Sequence, residues 1–133
     1  MMDMKSLLNK AIEGRNLAYV PYSKFQVGAA VLTDDDQVFV GCNIENASFG
    51  LSNCAERTAI FKAVSEGHKR IKAIAVVGDT EGPVSPCGAC RQVIAEFSTE
   101  ETKILLANLK GDVLETSINE LLPGFFSSKD LNK

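Results

Sequence analysis

The sequence predicts an α/β fold: a five-stranded mixed sheet in strand order 2-1-3-4-5, with the first and fifth strands antiparallel to the rest. Three observations predict it. Apolar patterning runs α β β α β α β β α along the 133 residues. The stretch from the second strand to the fourth holds two helices, so it reads as two parallel crossovers, both right-handed. Only Lys110-Gly111-Asp112 separates the last two strands, too little for a crossover helix, so the fifth strand runs antiparallel to the fourth.

Asp3 can cap a helix from Met4 to Ala18, with Leu7, Leu8, Ala11, Ile12 and Ala18 on one stripe, and Pro21 ends it. Gln26–Thr33 and Val38–Ile44 are apolar, β-branched runs around the turn Asp34-Asp35-Asp36-Gln37, a hairpin. The hairpin sets the first strand between the second and third. Asn46–Asn53 is a small, polar loop. Asn53 or Ser52 can cap a second helix, Cys54–Glu66, closed by Gly67. Ile71–Gly78 is a fully apolar strand and Asp79–Pro86 a Gly/Pro loop. Cys87–Phe97 is a third helix. Lys103–Leu109 and Val113–Thr116 form the second hairpin. Ser117 can cap a short helix through Leu122, with Glu120 completing a capping box. Pro123–Lys133 reads as irregular.

With 45% apolar and 23% charged residues the chain has an ordinary globular mixture, and its length suits one domain, residues 1–133. The longest purely apolar run, Ala73–Val77, has five residues, against about 20 for a membrane span. Asp3, Lys5, Lys10, Glu13 and Arg15 interrupt the first twenty residues, so no secretory signal is read and a cytoplasmic protein is expected. Fourteen basic against seventeen acidic residues give −3. A basic stripe is missing, which argues against a nucleic-acid partner and for a small or neutral one.

The chemistry concentrates in cysteines. Cys54 opens the second helix, and Cys87 and Cys90 share one face of the third at i, i+3 spacing. Crossovers that move the same way bring both helix N-termini side by side at the carboxyl ends of the strands, where open α/β sheets bind ligands. Helix N-termini favour thiolate, the form that binds zinc. Three thiolates with an open fourth position are the pattern of a catalytic zinc, since structural sites are closed by four protein ligands. Glu56 follows Cys54 by two residues, within reach of a water at that open position. Alternatives remain at this stage. Cys87 and Cys90 can be a redox pair, Cys54 a buried small hydrophobe, and Cys42 a fourth ligand rather than a core residue. His68, the sole histidine, reads as a solvated residue after the Gly67 helix stop.

Four stretches carry a family resemblance: Phe25-Gln26-Val27-Gly28-Ala29-Ala30, Gly41-Cys42-Asn43-Ile44-Glu45-Asn46-Ala47-Ser48, Cys54-Ala55-Glu56-Arg57-Thr58-Ala59 and Ser85-Pro86-Cys87-Gly88-Ala89-Cys90-Arg91-Gln92. Together they resemble the small, homotetrameric, zinc-dependent cytidine deaminases that act on free nucleosides, a likeness running from the first helix to Leu121-Leu122-Pro123. The resemblance implies a three-layer α/β/α cytidine-deaminase-like fold. It implies one Zn²⁺ per subunit on Cys54, Cys87 and Cys90, and hydrolytic deamination of cytidine and 2′-deoxycytidine in pyrimidine salvage. Glu56 becomes the catalytic proton carrier. The backbone N–H of Ala55 is expected to bond the base carbonyl, Asn43 and Glu45 the ribose 3′-hydroxyl, and Phe25 to lie against the base. Read without the resemblance, Asn43 and Glu45 suit strand-end turn chemistry and Phe25 suits the core.

Zn²⁺ with three thiolates carries a formal charge of −1, so a positive group should offset it. Arg57 is the best-placed cation, and in the family an arginine here bonds the cysteine sulfurs; Gln92 is expected to do likewise. Position 49 is Phe, where many relatives have Tyr, so this loop keeps an aromatic surface and donates no hydroxyl bond. By resemblance Phe49, Phe125 and Phe126 close a neighbouring subunit's pocket in a homotetramer with shared active sites. Packing within their own subunit is the alternative.

Overall fold

A strand buried on both faces needs a helix layer on each side, and the apolar run of the third strand already asks for that. In the computed structural model, which describes residues 2–131, the chain runs α1 (Met4–Arg15), β1 (Val27–Thr33), β2 (Val38–Cys42), α2 (Ala55–Ser65), β3 (Ile71–Gly78), α3 (Gly88–Phe97), β4 (Lys103–Asn108), β5 (Val113–Thr116), α4 (Ile118–Leu121) and α5 (Ser128–Leu131). The sheet order is β2-β1-β3-β4-β5. β1 lies antiparallel to β2 and β3, β3 parallel to β4, and β5 antiparallel to β4. Order and directions are those the sequence predicts.

Alternation along the central strands splits the core in two. Ala29, Val31, Ile74, Val76, Ile104 and Leu106 face the layer that contains Ala59, Ile60 and Ile94 of α2 and α3. Ala30, Leu32, Ala73, Ala75, Val77 and Leu105 face Leu7 and Ala11 of α1. Each large side chain so buried stabilises the fold by about 1.5–3 kcal/mol. The result is three layers, with α1 alone on one face and α2 and α3 together on the other.

Two glycines allow this close stacking. A Cβ at Gly28 would run into the carbonyl of Ala11 in α1, and one at Gly41 would come 2.5 Å from the backbone nitrogen of Ala59 and 2.7 Å from the carbonyl of Ala55 in α2. Both helices therefore lie directly on hairpin backbone. Lys62 of α2 also donates to the carbonyl of Val40 in β2. Gly41 thus fixes the height of the first turn of α2 above the sheet.

Several boundaries move, and for α1 and β2 the reason is tertiary. α1 is capped by Asp3, which accepts from the Ser6 N–H at 2.7 Å, but it stops at Arg15, short of Ala18. There the chain leaves to pair Tyr19 with Ile44. Ile44 is in turn lost to β2, because it bridges to Tyr19 on one side and Asn53 on the other. β1 begins one residue after Gln26 and β4 ends one residue before Leu109. Ser117 caps α4 by accepting from the Glu120 N–H, and this helix stops one residue before Leu122. The tail is not wholly irregular: Ser128–Leu131 forms a helical turn in which Asp130 accepts from the Ser127 N–H at 2.8 Å. Residues 132 and 133, the end of that expected irregular tail, lie outside the described residues. His68 is not simply solvated, since its Nδ1 pairs with Asp35 at 2.9 Å and its ring packs on Phe39. Cys42 is half-buried at the end of β2 rather than fully in the core.

Candidate metal centre

Cys54 and Cys87 do not sit inside their helices. Each is the N-cap, with extended backbone, of α2 and α3 respectively, and neither side chain caps its own helix. Neither Asn53 nor Ser52 is the cap. Asn53 Nδ2 donates to Thr58 Oγ1, and Ser52 Oγ accepts from the Asn46 N–H. Two thiols therefore occupy the positions where a capping oxygen usually meets the orphan N–H groups of a first turn. Both helix dipoles point their positive ends at them.

Cys90 completes the cluster from the first turn of α3. It is wholly buried, Cys54 is half-buried and Cys87 is exposed. The three Sγ atoms lie within 4.8 Å of one another, and Cys54 and Cys87 are 3.9 Å apart. Two sulfurs held about 2.3 Å from one tetrahedral ion stand roughly 3.8 Å apart. The donor set thus fits zinc in chemistry and spacing. Cys42 is no part of the cluster.

The electrostatics favour the thiolate at Cys54. The Cys54 thiol is brought down to about 5, chiefly by a hydrogen bond from Cys90, with burial opposing and Arg57 adding to the shift. Cys90 moves up, because it keeps the proton it shares with Cys54 and lies buried beside Glu56. Arg57 Nη2 donates to Cys54 Sγ at 3.3 Å. Its Nε is buried without a partner, so a cation faces the cluster from within α2.

Glu56 is 4% exposed, the only acidic residue among the buried polar side chains of the described residues. Burial raises its pKa, and the neighbouring Cys54 thiolate raises it further. A carboxyl whose neutral form is favoured by burial, beside three thiols that can hold a metal, is suited to carrying protons in both directions.

The remaining expected site residues divide. The Phe25 ring lies against Gly78 at the carboxyl end of β3, the end of the sheet from which the ligand loop departs. Asn43 and Glu45 act on the backbone nearby. Asn43 Oδ1 accepts from the Val27 N–H at 2.9 Å and its Nδ2 donates to the Phe25 carbonyl at 2.8 Å. Glu45 Oε1 accepts from the N–H groups of Tyr22 and Ser23 at 3.0 and 3.1 Å. Those bonds and the Ser23 hydroxyl hold its carboxyl below the usual carboxylate range. Turn chemistry is therefore present at both residues, and it secures the segment carrying Phe25. Ala55 starts α2, so its N–H has no partner within the helix.

Gln92 does not reach the sulfurs. Two residues past Cys90 is about 200° around the helix, and its Nε2 donates instead to the Phe126 carbonyl at 2.8 Å. Phe125 packs against its own core. Phe125 and Phe126 also line a cavity of about 440 Å³ with Arg70, Ser98 and Lys129, beside the carboxyl end of α3 and away from the thiols. Phe126 is 57% exposed. Phe49 is 74% exposed in a short 3₁₀ turn and meets Tyr22 edge-on at 6.2 Å. The sequence reading gave Gly41 no role. The available signal was a glycine inside a strand, which marks close backbone approach.

Comparisons with known proteins agree with this geometry. Residues 1–106 match the family model described as the cytidine and deoxycytidylate deaminase zinc-binding region. The chain is 59% identical to a cytidine deaminase of Sporosarcina psychrophila, over 98% of this chain and 96% of that one. It is 60% identical to a cytidine deaminase of Halalkalibacterium halodurans, over 98% and 99% of the two chains. A crystal structure of cytidine deaminase from Burkholderia pseudomallei superposes with a TM-score of 0.91 at 52% identity, covering 94% of this chain and 100% of that one.

Proposed function

The chain belongs to the cytidine and deoxycytidylate deaminase family, and on that premise we propose that it converts cytidine and 2′-deoxycytidine, with water, to uridine and 2′-deoxyuridine and ammonia. The observation that carries this reading is the pairing of a three-thiol cluster, drawn from the starts of α2 and α3, with one buried carboxyl in the first turn of α2. A structural zinc site has no use for Glu56.

Cys54, Cys87 and Cys90 would hold the zinc, which would supply the Lewis-acid chemistry that makes a water reactive toward C4 of the pyrimidine. Glu56 would take a proton from the attacking water and deliver it to N3, then take the proton of the new C4 hydroxyl and deliver it to the amine, so that ammonia leaves as the C4 carbonyl forms. One proton carrier serves the whole cycle, so a pKa raised by burial is in its favour. Arg57 offsets the thiolate charge. Ala55 N–H binds the base carbonyl, because a first-turn N–H is an unpaired donor in the field of the helix dipole. Phe25 lies along the base. Asn43 and Glu45 keep lone pairs and a donor beyond their backbone bonds, and these meet the 3′-hydroxyl. A sugar read at 3′ rather than 2′ admits both nucleosides.

Residues 1–133 form one catalytic domain. No helix among the described residues is long and apolar enough to cross a membrane, and the enzyme works in the cytoplasm in pyrimidine salvage, with no nucleic-acid partner. It assembles as a homotetramer in which Phe49 and Phe126 complete a neighbour's site. Their exposed rings support that reading. The inward packing of Phe125 leaves Phe126 as the tail residue that reaches across. The test is turnover of free cytidine, read as the absorbance fall on conversion to uridine, with zinc per chain measured on the same sample. Zinc bound without turnover would leave a zinc-binding interaction module instead.

A further inference from the structure

Of the three thiols, Cys87 is the one whose place the core does not dictate. Cys90 is buried within a helix and Cys54 caps α2, whose first turn rests on Gly41, whereas Cys87 is exposed at the end of the Gly/Pro loop that follows β3. Something else must hold that loop.

Arg91, one residue past Cys90, does so. Its side chain turns back along α3. Nε donates to the Pro86 carbonyl at 2.9 Å, Nη2 to Ser85 Oγ at 2.7 Å, and Nη1 to the Leu121 carbonyl at 2.7 Å. Pro86 is buried and has no N–H, so its carbonyl is its one hydrogen-bonding group. A single planar fork thus grips the two residues that lead directly into Cys87, and the end of α4 as well. The start of the loop is held separately by Asn108, 3% exposed, whose Nδ2 donates to the carbonyls of Thr80 and Glu81 at 3.0 and 2.8 Å. Neither side chain supplies a ligand.

We propose that Arg91 is a positioning residue for the metal, setting where the Cys87 sulfur stands relative to those of Cys54 and Cys90. This rests on the zinc reading given above. A fixed fork is needed, because three acceptors in different directions are met by three guanidinium nitrogens, and a lysine offers only a point charge.

The test uses the zinc-loaded full chain with Arg91→Gln, Arg91→Lys and, as control, Ser117→Ala. The control loosens α4, which Arg91 also holds, without touching the ligand loop. Two readouts are taken: the rate of zinc release to an excess chromogenic chelator, and the thiolate-to-cobalt and d–d bands of the cobalt(II)-substituted protein. Both Arg91 variants are expected to release zinc at least ~10-fold faster, as loss of an outer partner of a ligand does, and to shift the cobalt bands. Ser117→Ala should lower the melting temperature and change neither readout. Parental release and bands in the Arg91 variants overturn the proposal, and so do equal changes in Ser117→Ala. Should Arg91→Gln fail to fold, Arg91→Lys, which retains the charge, decides. Failure of the deaminase reading shows elsewhere, in a zinc-loaded parent that leaves cytidine unchanged.

Discussion

Arg57, in the first turn of α2, donates to the sulfur of the N-cap residue Cys54 at 3.3 Å, so one ligand and its compensating cation are fixed by a single helix start. Three thiolates leave the bound ion formally negative, which weakens its pull on water. Arg57 withdraws part of that charge through the sulfur.

Arg57→Gln is therefore expected to lower activity about 10- to 100-fold, the usual range for an outer partner of a metal ligand, with zinc largely retained. Turnover and zinc per chain, measured on the same preparation, check it. Parental values for both would reduce Arg57 to an ordinary helix residue.

Gly41→Ala places a methyl 2.5 Å from the backbone of α2. Backbone cannot rotate away as a side chain can, so the helix must lift. Overpacking of this kind costs about 1–3 kcal/mol, and it moves Cys54 and Glu56 with the helix. A lower denaturation midpoint together with reduced turnover is expected; an unchanged midpoint would mean that α2 does not rest on β2 here.

Zinc binds the folded arrangement of three thiols that the unfolded chain does not preserve. At a free-ion concentration of 1,000 times Kd the linkage is worth about 4 kcal/mol, or on the order of 10–15 °C in melting temperature for a chain of this length. Chelation followed by dialysis should lower the midpoint by that order and added zinc should restore it. A midpoint indifferent to both contradicts a metal coupled to the fold.

Much of this was legible beforehand because local and tertiary demands coincide. Ile71–Gly78 can only be a doubly buried strand, and a three-residue turn can only make a hairpin. Cys54, Cys87 and Cys90 could be read together because the crossovers bring two helix starts to one end of the sheet. The misses share a different cause. α1 and β2 are shorter than their local patterns predict because Tyr19 and Ile44 leave those patterns to pair with each other. By resemblance Gln92 is expected at the sulfurs, whereas its helical angle sends it to the tail. The inward packing of Phe125 and outward exposure of Phe126 depend on how the tail crosses α3, which no local pattern encodes.

Shared sites are tested by mixing. A Glu56→Gln chain is combined with a chain ending after Phe125, so that the buried Phe125 is kept. Each is expected to be inactive or weak alone. In mixed assemblies an intact Glu56 stands beside an intact neighbouring tail, and exclusion of water there restores part of the activity. Size-exclusion chromatography establishes that both variants still assemble. Co-assembly without recovered activity would show that Phe126 acts within its own subunit.

The central claim is that Glu56 carries the proton at a zinc site it does not help to build. Its most direct test is the turnover of cytidine by zinc-replete Glu56→Gln. The amide keeps the size and burial of the side chain but cannot accept and return a proton. Parental zinc content, a parental fold and a rate lower by at least ~10²-fold are expected. A zinc-replete variant that deaminates cytidine at close to the parental rate would contradict it.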